Sequence, residues 1–224
     1  MWCIPPQQNA EFVARMEALL DLYQQPYNPL EPVLCMDESL KDLQQALYFP
    51  LQTAPGRPAR FDYLYKPLGA ATLLLCVEPL RGWRYVQVRE HRKFEDWASF
   101  MRHVLDTFYP DATTIHLVVD NLNIHTPAAF YHTFPPDEAK RLVERLTFHY
   151  TPVHGSWLNM AEIEFGVLKR QALSQRFPSR DLLTPVIDAW SALRNACSAD
   201  IHWHFTVDDA RLKLRHLYPS FTPD

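Results

Sequence analysis

Glycine is scarce, with five in 224 residues. That leaves no room for a glycine-rich phosphate loop, so P-loop and dinucleotide-binding folds are set aside. The four cysteines, Cys3, Cys35, Cys76 and Cys197, contain no CxxC pair; a zinc ribbon or disulfide framework is not indicated, and reduced thiols are expected. No stretch approaches the roughly 18 apolar residues of a membrane span, and MWCIPPQQNAEF has no basic segment ahead of an apolar run. The expectation is a soluble, cytoplasmic protein with no leader and no membrane partner. A basic surplus is missing too, since the net charge is -4, and a chain that grips many phosphates usually carries one. Carboxylates gathered for a metal would account for part of that balance. Basic residues do cluster, at Arg89, His91, Arg92 and Lys93 and at Arg57, Arg60 and Lys66, although such clusters also read as solvated faces.

What is present is apolar and aromatic material, 47% and 13% of the chain, enough for one principal core. Helical spacing runs through Phe12, Met16, Leu19, Leu20 and Tyr23, predicting a helix over Ala10 to Tyr23 before a linker with Pro26, Pro29 and Pro32. Three runs of strand character follow at Val33 to Asp37, Thr72 to Val77 and Trp83 to Val88, the last two reading as a hairpin. Gln52 to Pro67, with Pro55, Gly56 and Pro58, reads as an irregular loop. A helix is predicted over Lys93 to Tyr109, strands over Ile115 to Val119 and Thr147 to Thr151, and a short helix over Glu138 to Leu146 between them. A long helix is predicted from Ser156, whose hydroxyl can cap it, to about Leu173. Two more follow over Asp181 to Cys197 and Val207 to Leu217, the latter opened by Thr206 and Asp209 in capping-box spacing. This order predicts an α/β fold of ribonuclease H-like type, a mixed five-stranded sheet flanked by helices. The expected division is an N-terminal helix and linker over 1–32, a catalytic domain over 33–200 and a helical tail over 201–224.

Two apolar strands end on acids, Val33-Leu-Cys-Met-Asp37-Glu38 and Ile115-His-Leu-Val-Val-Asp120-Asn121. A carboxylate at a strand end is rigidly held and reachable. A third acid comes from the helix after His154, where Glu162 and Glu164 stand among Trp157, Leu158, Met160, Ala161, Ile163 and Phe165. Three such carboxylates on one rim repel unless cations lie between them, and hard oxygen ligands favour magnesium or manganese. The bland alternative is that Asp37 and Asp120 are turn residues and the glutamates solvated. Periodicity does not choose between Glu162 and Glu164, which point about 200° apart on a helix.

The strings DNLNIH (Asp120 to His125) and HYTPVHGSWLNMAEIEF (His149 to Phe165) resemble bacterial insertion-sequence transposases of the DDE superfamily, the IS-six-thirty group related to mariner elements. The resemblance extends to Trp2-Cys-Ile-Pro5, Cys35-Met-Asp37-Glu38, Gly56-Arg-Pro-Ala-Arg60-Phe-Asp-Tyr63, Arg194-Asn195 and Phe205-Thr-Val-Asp-Asp-Ala-Arg211, nearly the whole chain. It implies that Asp37, Asp120 and Glu162 hold two Mg2+ or Mn2+ ions, with Glu164 the less favoured third acid. It also implies hydrolysis at transposon ends and transfer of the freed 3'-hydroxyl into target DNA, without a covalent protein intermediate. Double-stranded DNA, a homodimer on paired ends and nucleoid association when bound are the expected partners and setting. Relatives carry helix-turn-helix domains ahead of this region, so a separately encoded or lost recognition part is expected. Ile124 departs from the Thr common between Asn123 and His125.

Around the acids, Glu38, Asn121, His125, His154 and Asn159 are candidate supporting residues. Lys169 and Arg170 are candidate DNA contacts, though basic residues also complement a helix C-terminus. Zinc held by His125, His149 and His154 is a weaker reading. Trp157 reads as a stacking group or, more simply, as core. Other expectations weighed are a different two-metal nuclease of the same fold, such as a ribonuclease H or resolvase, and an inactive truncated copy kept as a DNA-binding or dimerising module.

Overall fold

The computed structural model describes residues 4–5, 7–48, 56 and 64–219; Trp2, Cys3, Arg57 and Arg60 lie outside them. Helix α1 (Ala10–Tyr23) begins where the Asn9 side chain accepts from the Phe12 amide, and its stripe Phe12, Met16, Leu19, Leu20 and Tyr23 is buried. The strands are β1 (Val33–Ala46), β2 (Tyr65–Glu78), β3 (Trp83–Arg89), β4 (Ile115–Val119) and β5 (Leu146–Tyr150). They form one sheet in the order β3-β2-β1-β4-β5. The first three pair antiparallel, and β4 and β5 join parallel. Helices α2 (Phe94–His103), α3 (Pro127–Thr133), α4 (Pro136–Val143), α5 (Met160–Gln171), α6 (Arg180–Ala196) and α7 (Val207–Lys213) complete the order. This is the ribonuclease H-like mixed sheet that the element order predicted.

Both faces of the sheet are covered, which is why its strands read as continuous apolar runs instead of alternating ones. Cys35, Leu73, Leu75, Val77 and Val118 face a core shared with α1, α5, α6 and α7. Leu34, Met36, Leu74, Cys76, Leu117 and Val119 face a second core, filled by Trp97, Phe100, Met101 and Phe130. Among the described residues no helix is long and apolar enough to cross a membrane.

The structure departs from the sequence expectations in several places, among them α4, which ends at Val143 so that Leu146 opens β5, and α7, which ends at Lys213 before a 3-10 turn over Arg215–Leu217. Strands β1 and β2 outrun their apolar segments, pairing as far as Ala46 with Tyr65. Tyr65 to Pro67, expected as loop, are therefore strand, because a ladder needs only backbone partners. Pro67, which has no amide to donate, sits beside the register shift between Asp42 and Gln44, where β2 has no second neighbour. Helix α3 has seven residues and starts on Pro127, too short to show a period. The helix expected over Lys93 to Tyr109 ends as α and continues as a wider π turn over Val104–Phe108. The helix expected from Ser156 starts later: Ser156–Leu158 form a tight 3-10 turn, and Asn159 caps α5 by accepting from the Ala161 amide.

Gly82, in the turn between β2 and β3, adopts φ +66, and a Cβ there would stand 2.5 Å from the Ser198 carbonyl carbon. Gly82→Ala is expected to cost roughly 1–3 kcal/mol through strain and displacement of the 198–199 backbone. Urea unfolding measures it, and a loss below about 0.5 kcal/mol, the range of an ordinary surface change, contradicts it.

Candidate active site

The rim is set by parallel pairing. Cys35 lies opposite Val118, so two residues further along Asp37 on β1 comes level with Asp120, the first residue beyond β4. The Asp37 carboxylate accepts the Glu38 amide at 2.7 Å. Asp120 accepts the Leu122 amide at 3.0 Å, closing an Asx turn that bends the chain back toward the sheet. Glu38, next along β1, points to the opposite face from Asp37.

That turn places His125 between two acids. Its Nε2 is 2.8 Å from Glu38 Oε1, and its Nδ1 is 2.7 Å from Asp120 Oδ1. The second approach is off the N–H axis, making it an electrostatic contact more than an aligned hydrogen bond. His125 is fully buried, its carbonyl accepts from the Tyr150 hydroxyl at 2.8 Å, and its ring lies 5.5 Å from that of Trp97. Burial alone would push the imidazole toward neutrality, but contacts with Asp120 and Glu38 outweigh it and raise its pKa to about 9. Reciprocally, burial opposes ionisation of Asp120, yet His125, the Leu122 amide and the charge of Arg92 hold it below the ordinary carboxylate value.

Asp37 moves the other way. Burial raises its pKa to about 7, the Glu38 amide opposing, and repulsion from the Glu38, Asp120 and Glu162 carboxylates adds to the rise. Glu162 is exposed in the first turn of α5, where an acid complements the helix dipole. The α5 helix is tied to β1 at its start: the Asn159 amide group donates to the Met36 carbonyl at 2.8 Å, one residue before Asp37. Tyr23 of α1 adds a bond from its hydroxyl to Leu158 O at 2.7 Å.

Glu164, by contrast, is fully buried, with Oε1 2.9 Å from Arg84 Nε and Oε2 2.9 Å from Arg194 Nη2. An acid buried among apolar neighbours needs a charged partner, and Glu164 has two. Asn121 donates to Thr151 O at 2.6 Å and accepts from Arg15 at 2.7 Å. Arg15 lies 106 positions away in sequence, so no local pattern announces it. His154 sits in an exposed loop at φ 65, followed by Gly155, where a Cβ would meet the Pro152 ring at 2.4 Å. His149 contacts His116 at 3.0 Å, and burial together with that neighbour lowers its pKa to about 4. Lys169 and Arg170 are exposed at the end of α5, and Trp157 is buried 6.2 Å from Trp203.

Among the described residues no three His, Cys, Asp or Glu side chains are grouped closely enough to hold a metal ion. The histidines expected for zinc are dispersed in role: His125 serves two carboxylates, His149 serves His116, and His154 is exposed. A cavity of about 260 Å³ lies at the other end of β1, lined by Tyr23, Val33, Glu78 and Trp203, away from the acids.

Because His125 has a pKa of about 9 when folded against 6.5 when free, its charged contacts stabilise the fold fully below pH 6.5. That contribution declines as pH rises through 9, and amounts to roughly 3 kcal/mol. His125→Gln should flatten the stability profile between pH 6.5 and 9; urea midpoints that still slope as in the parent would show that another group is responsible.

Residues 32–184, more than half of the chain, match the family model described as DDE superfamily endonuclease. Among curated proteins none matches significantly. Among solved structures, the fold is similar to the pre-cleavage Mos1 transpososome, with a TM-score of 0.61 at 14% identity over 98% of this chain and 66% of that one. It is also similar to the Mos1 mariner paired-end complex with Mn, at 0.58 and 15% over 88% and 60%. The Mos1 strand transfer complex gives 0.57 and 17% over 84% and 55%. At these identities the likeness establishes the fold, and the chain spans 55% to 66% of the length of those proteins. The family match places the same strands and the Glu162 helix inside its limits: the chain belongs to the DDE superfamily endonucleases.

Proposed function

We propose that this chain is the catalytic domain of a DNA transposase, of the bacterial IS-six-thirty group, that hydrolyses phosphodiesters at transposon ends and transfers the freed strand into target DNA. The observation that carries the reading is the Asp37 carboxyl, level with Asp120 and raised to a pKa of about 7 first by burial and further by the Glu38, Asp120 and Glu162 carboxylates. A group of carboxylates, hard oxygen donors, suits Mg2+ or Mn2+ better than a softer metal. Asp37, Asp120 and Glu162 would hold two such ions, which when bound activate water and stabilise the leaving oxygen. Family membership and the likeness to Mos1 complexes support the same reading.

The chain's own residues do the positioning. His125 fixes the rotamer of Asp120 through Oδ1 and leaves Oδ2 for a ligand. Asp37 would lose its proton when a bound cation offsets the burial and neighbouring negative charge that raise its pKa. Arg92, whose charge is felt at Asp120, and Lys169 and Arg170 on α5 are placed to meet DNA phosphates. The unit 33–200 would carry the chemistry, flanked by 1–32 and 201–224, and work as a homodimer on paired ends.

Asp120→Asn and Glu162→Gln are expected to lower Mg2+-dependent nicking of an element-end duplex more than about a hundredfold with the fold retained, since losing even a supporting partner of a metal ligand costs 10–100-fold. Undiminished nicking by both variants sinks the assignment; cleavage confined to RNA:DNA hybrids would favour a ribonuclease H, and carboxylate-independent metal binding an inert module.

A second expectation follows from Asp37. Between pH 5 and 7 Mn2+ binding should release about one proton and strengthen nearly tenfold per pH unit, levelling above 7. Calorimetry in buffers of different ionisation enthalpy reads this directly, and a pH-independent affinity over that range refutes it.

A further inference from the structure

A second cluster of buried charge, apart from His125, serves no step of the proposed chemistry. Arg84 and Glu164 have fully buried side chains, and Arg194 is 21% exposed. Arg194 grips Glu164 with a fork, Nε to Oε1 at 3.0 Å and Nη2 to Oε2 at 2.9 Å. Arg84 donates to Gly82 O at 2.6 Å and to Ala199 O. Its own backbone is clasped by Asn195, which accepts from the Arg84 amide and donates to the Arg84 carbonyl, both at 2.8 Å. Three elements therefore meet at one carboxylate, β3 through Arg84, α6 through Arg194 and α5 through Glu164 itself, with Asn195 of α6 holding the Arg84 backbone. The pair Arg194-Asn195, which the family resemblance singled out, is accounted for by this cluster and not by the acidic rim.

Glu164 and Glu162 project about 200° apart, so the residue gripped from behind fixes the direction of the one in front. The rest of the α5 contact surface, Met160, Ala161, Phe165 and Leu168, is apolar, and apolar packing is non-directional. A helix held only that way can turn about its axis. For a carboxylate about 6 Å from the axis, a turn of roughly 20° is a displacement of about 2 Å, far beyond the ~0.2 Å tolerance of a metal–oxygen distance. Asn159 fixes the start of α5 against Met36, beside Asp37, and leaves rotation one turn further on to be set by Glu164.

We propose that the Arg84–Glu164–Arg194 cluster is a positioning device that sets the rotation of α5, and with it the aim of Glu162 toward Asp37 and Asp120. The inference rests on the reading of Glu162 as a metal ligand. Burying an ion cluster is not in itself stabilising, and well-packed apolar replacements of similar volume often preserve stability; this separates positioning from mere structural support.

The test is the triple variant Arg84→Met, Glu164→Met, Arg194→Met, compared with the parent for thermal midpoint and for Mn2+ affinity, the latter from the paramagnetic resonance of free Mn2+. A midpoint within a few degrees of the parent with Mn2+ affinity at least about tenfold weaker is the expected result. A stable variant that binds Mn2+ as the parent does overturns the proposal. Should the triple variant fail to fold, Arg194→Lys decides: it keeps the charge but loses the planar fork, and is expected to weaken Mn2+ binding severalfold, unchanged affinity again overturning the inference. Failure of the functional reading shows elsewhere, in a parent whose Mn2+ binding is indifferent to Asp120→Asn and Glu162→Gln; that result removes both.

Discussion

Parallel pairing of β1 with β4 is the constraint on which the rest depends. Two strands deliver their acids to a common edge only if they run in the same direction and in the right register, and the alignment of Cys35 with Val118 achieves this. A slip of one residue would turn Asp37 to the opposite face. The register is in turn enforced by apolar residues on both faces. Cys35 and Val118 belong to one core and Met36 and Val119 to the other, so neither strand slips without carrying large side chains into the wrong layer.

An edge that gathers carboxylates carries an electrostatic cost, and the molecule answers it unevenly. Asp120 and Glu38 share a buried imidazolium, which keeps Asp120 charged. Asp37 has an amide and no cation of its own, and is driven up to about 7. The same element order thus holds one acid below the ordinary carboxylate range and raises another to about 7. Environment separates two chemically identical groups, as it does wherever paired carboxylates take different roles.

Much of the architecture was legible because it rests on local pattern. The limits of α1 and β4 follow from a helical stripe and an uninterrupted apolar run, and the Thr206–Asp209 capping box forms as its spacing predicts. What the sequence concealed was set by distant partners. The outer half of β2 is exposed and that of β1 largely so apart from Leu43, neither carries an apolar run, and pairing with each other and the Leu43–Phe177 bridge make them strands. Helix α5 starts at Asn159 in place of Ser156 because the Met36 carbonyl and the Ala161 amide both claim the Asn159 side chain. Arg15, which reaches Asn121 from α1, carried no signal at all. At the site, Asp37, Glu38 and Asp120 were visible as acids closing apolar runs, although β1 continues past Asp37 to Ala46 and only Asp120 lies at a strand end, whereas the bridging position of His125 depends on the turn after Asp120.

The pair Glu162 and Glu164 shows where periodicity stops and burial decides. Spacing alone says only that the two face apart. Once one of them is known to be buried against two arginines, the other must project from the opposite side of α5, which here is the exposed side next to β1. An acid fully buried and charge-balanced by two arginines is out of a ligand's reach, while an exposed acid in the first turn of a helix is open to one. The apolar neighbourhood that made both glutamates conspicuous therefore has opposite meanings for the two. Around Glu164 it is the wall of a buried ion pair, and around Glu162 it is the platform that lifts a free carboxylate to the rim.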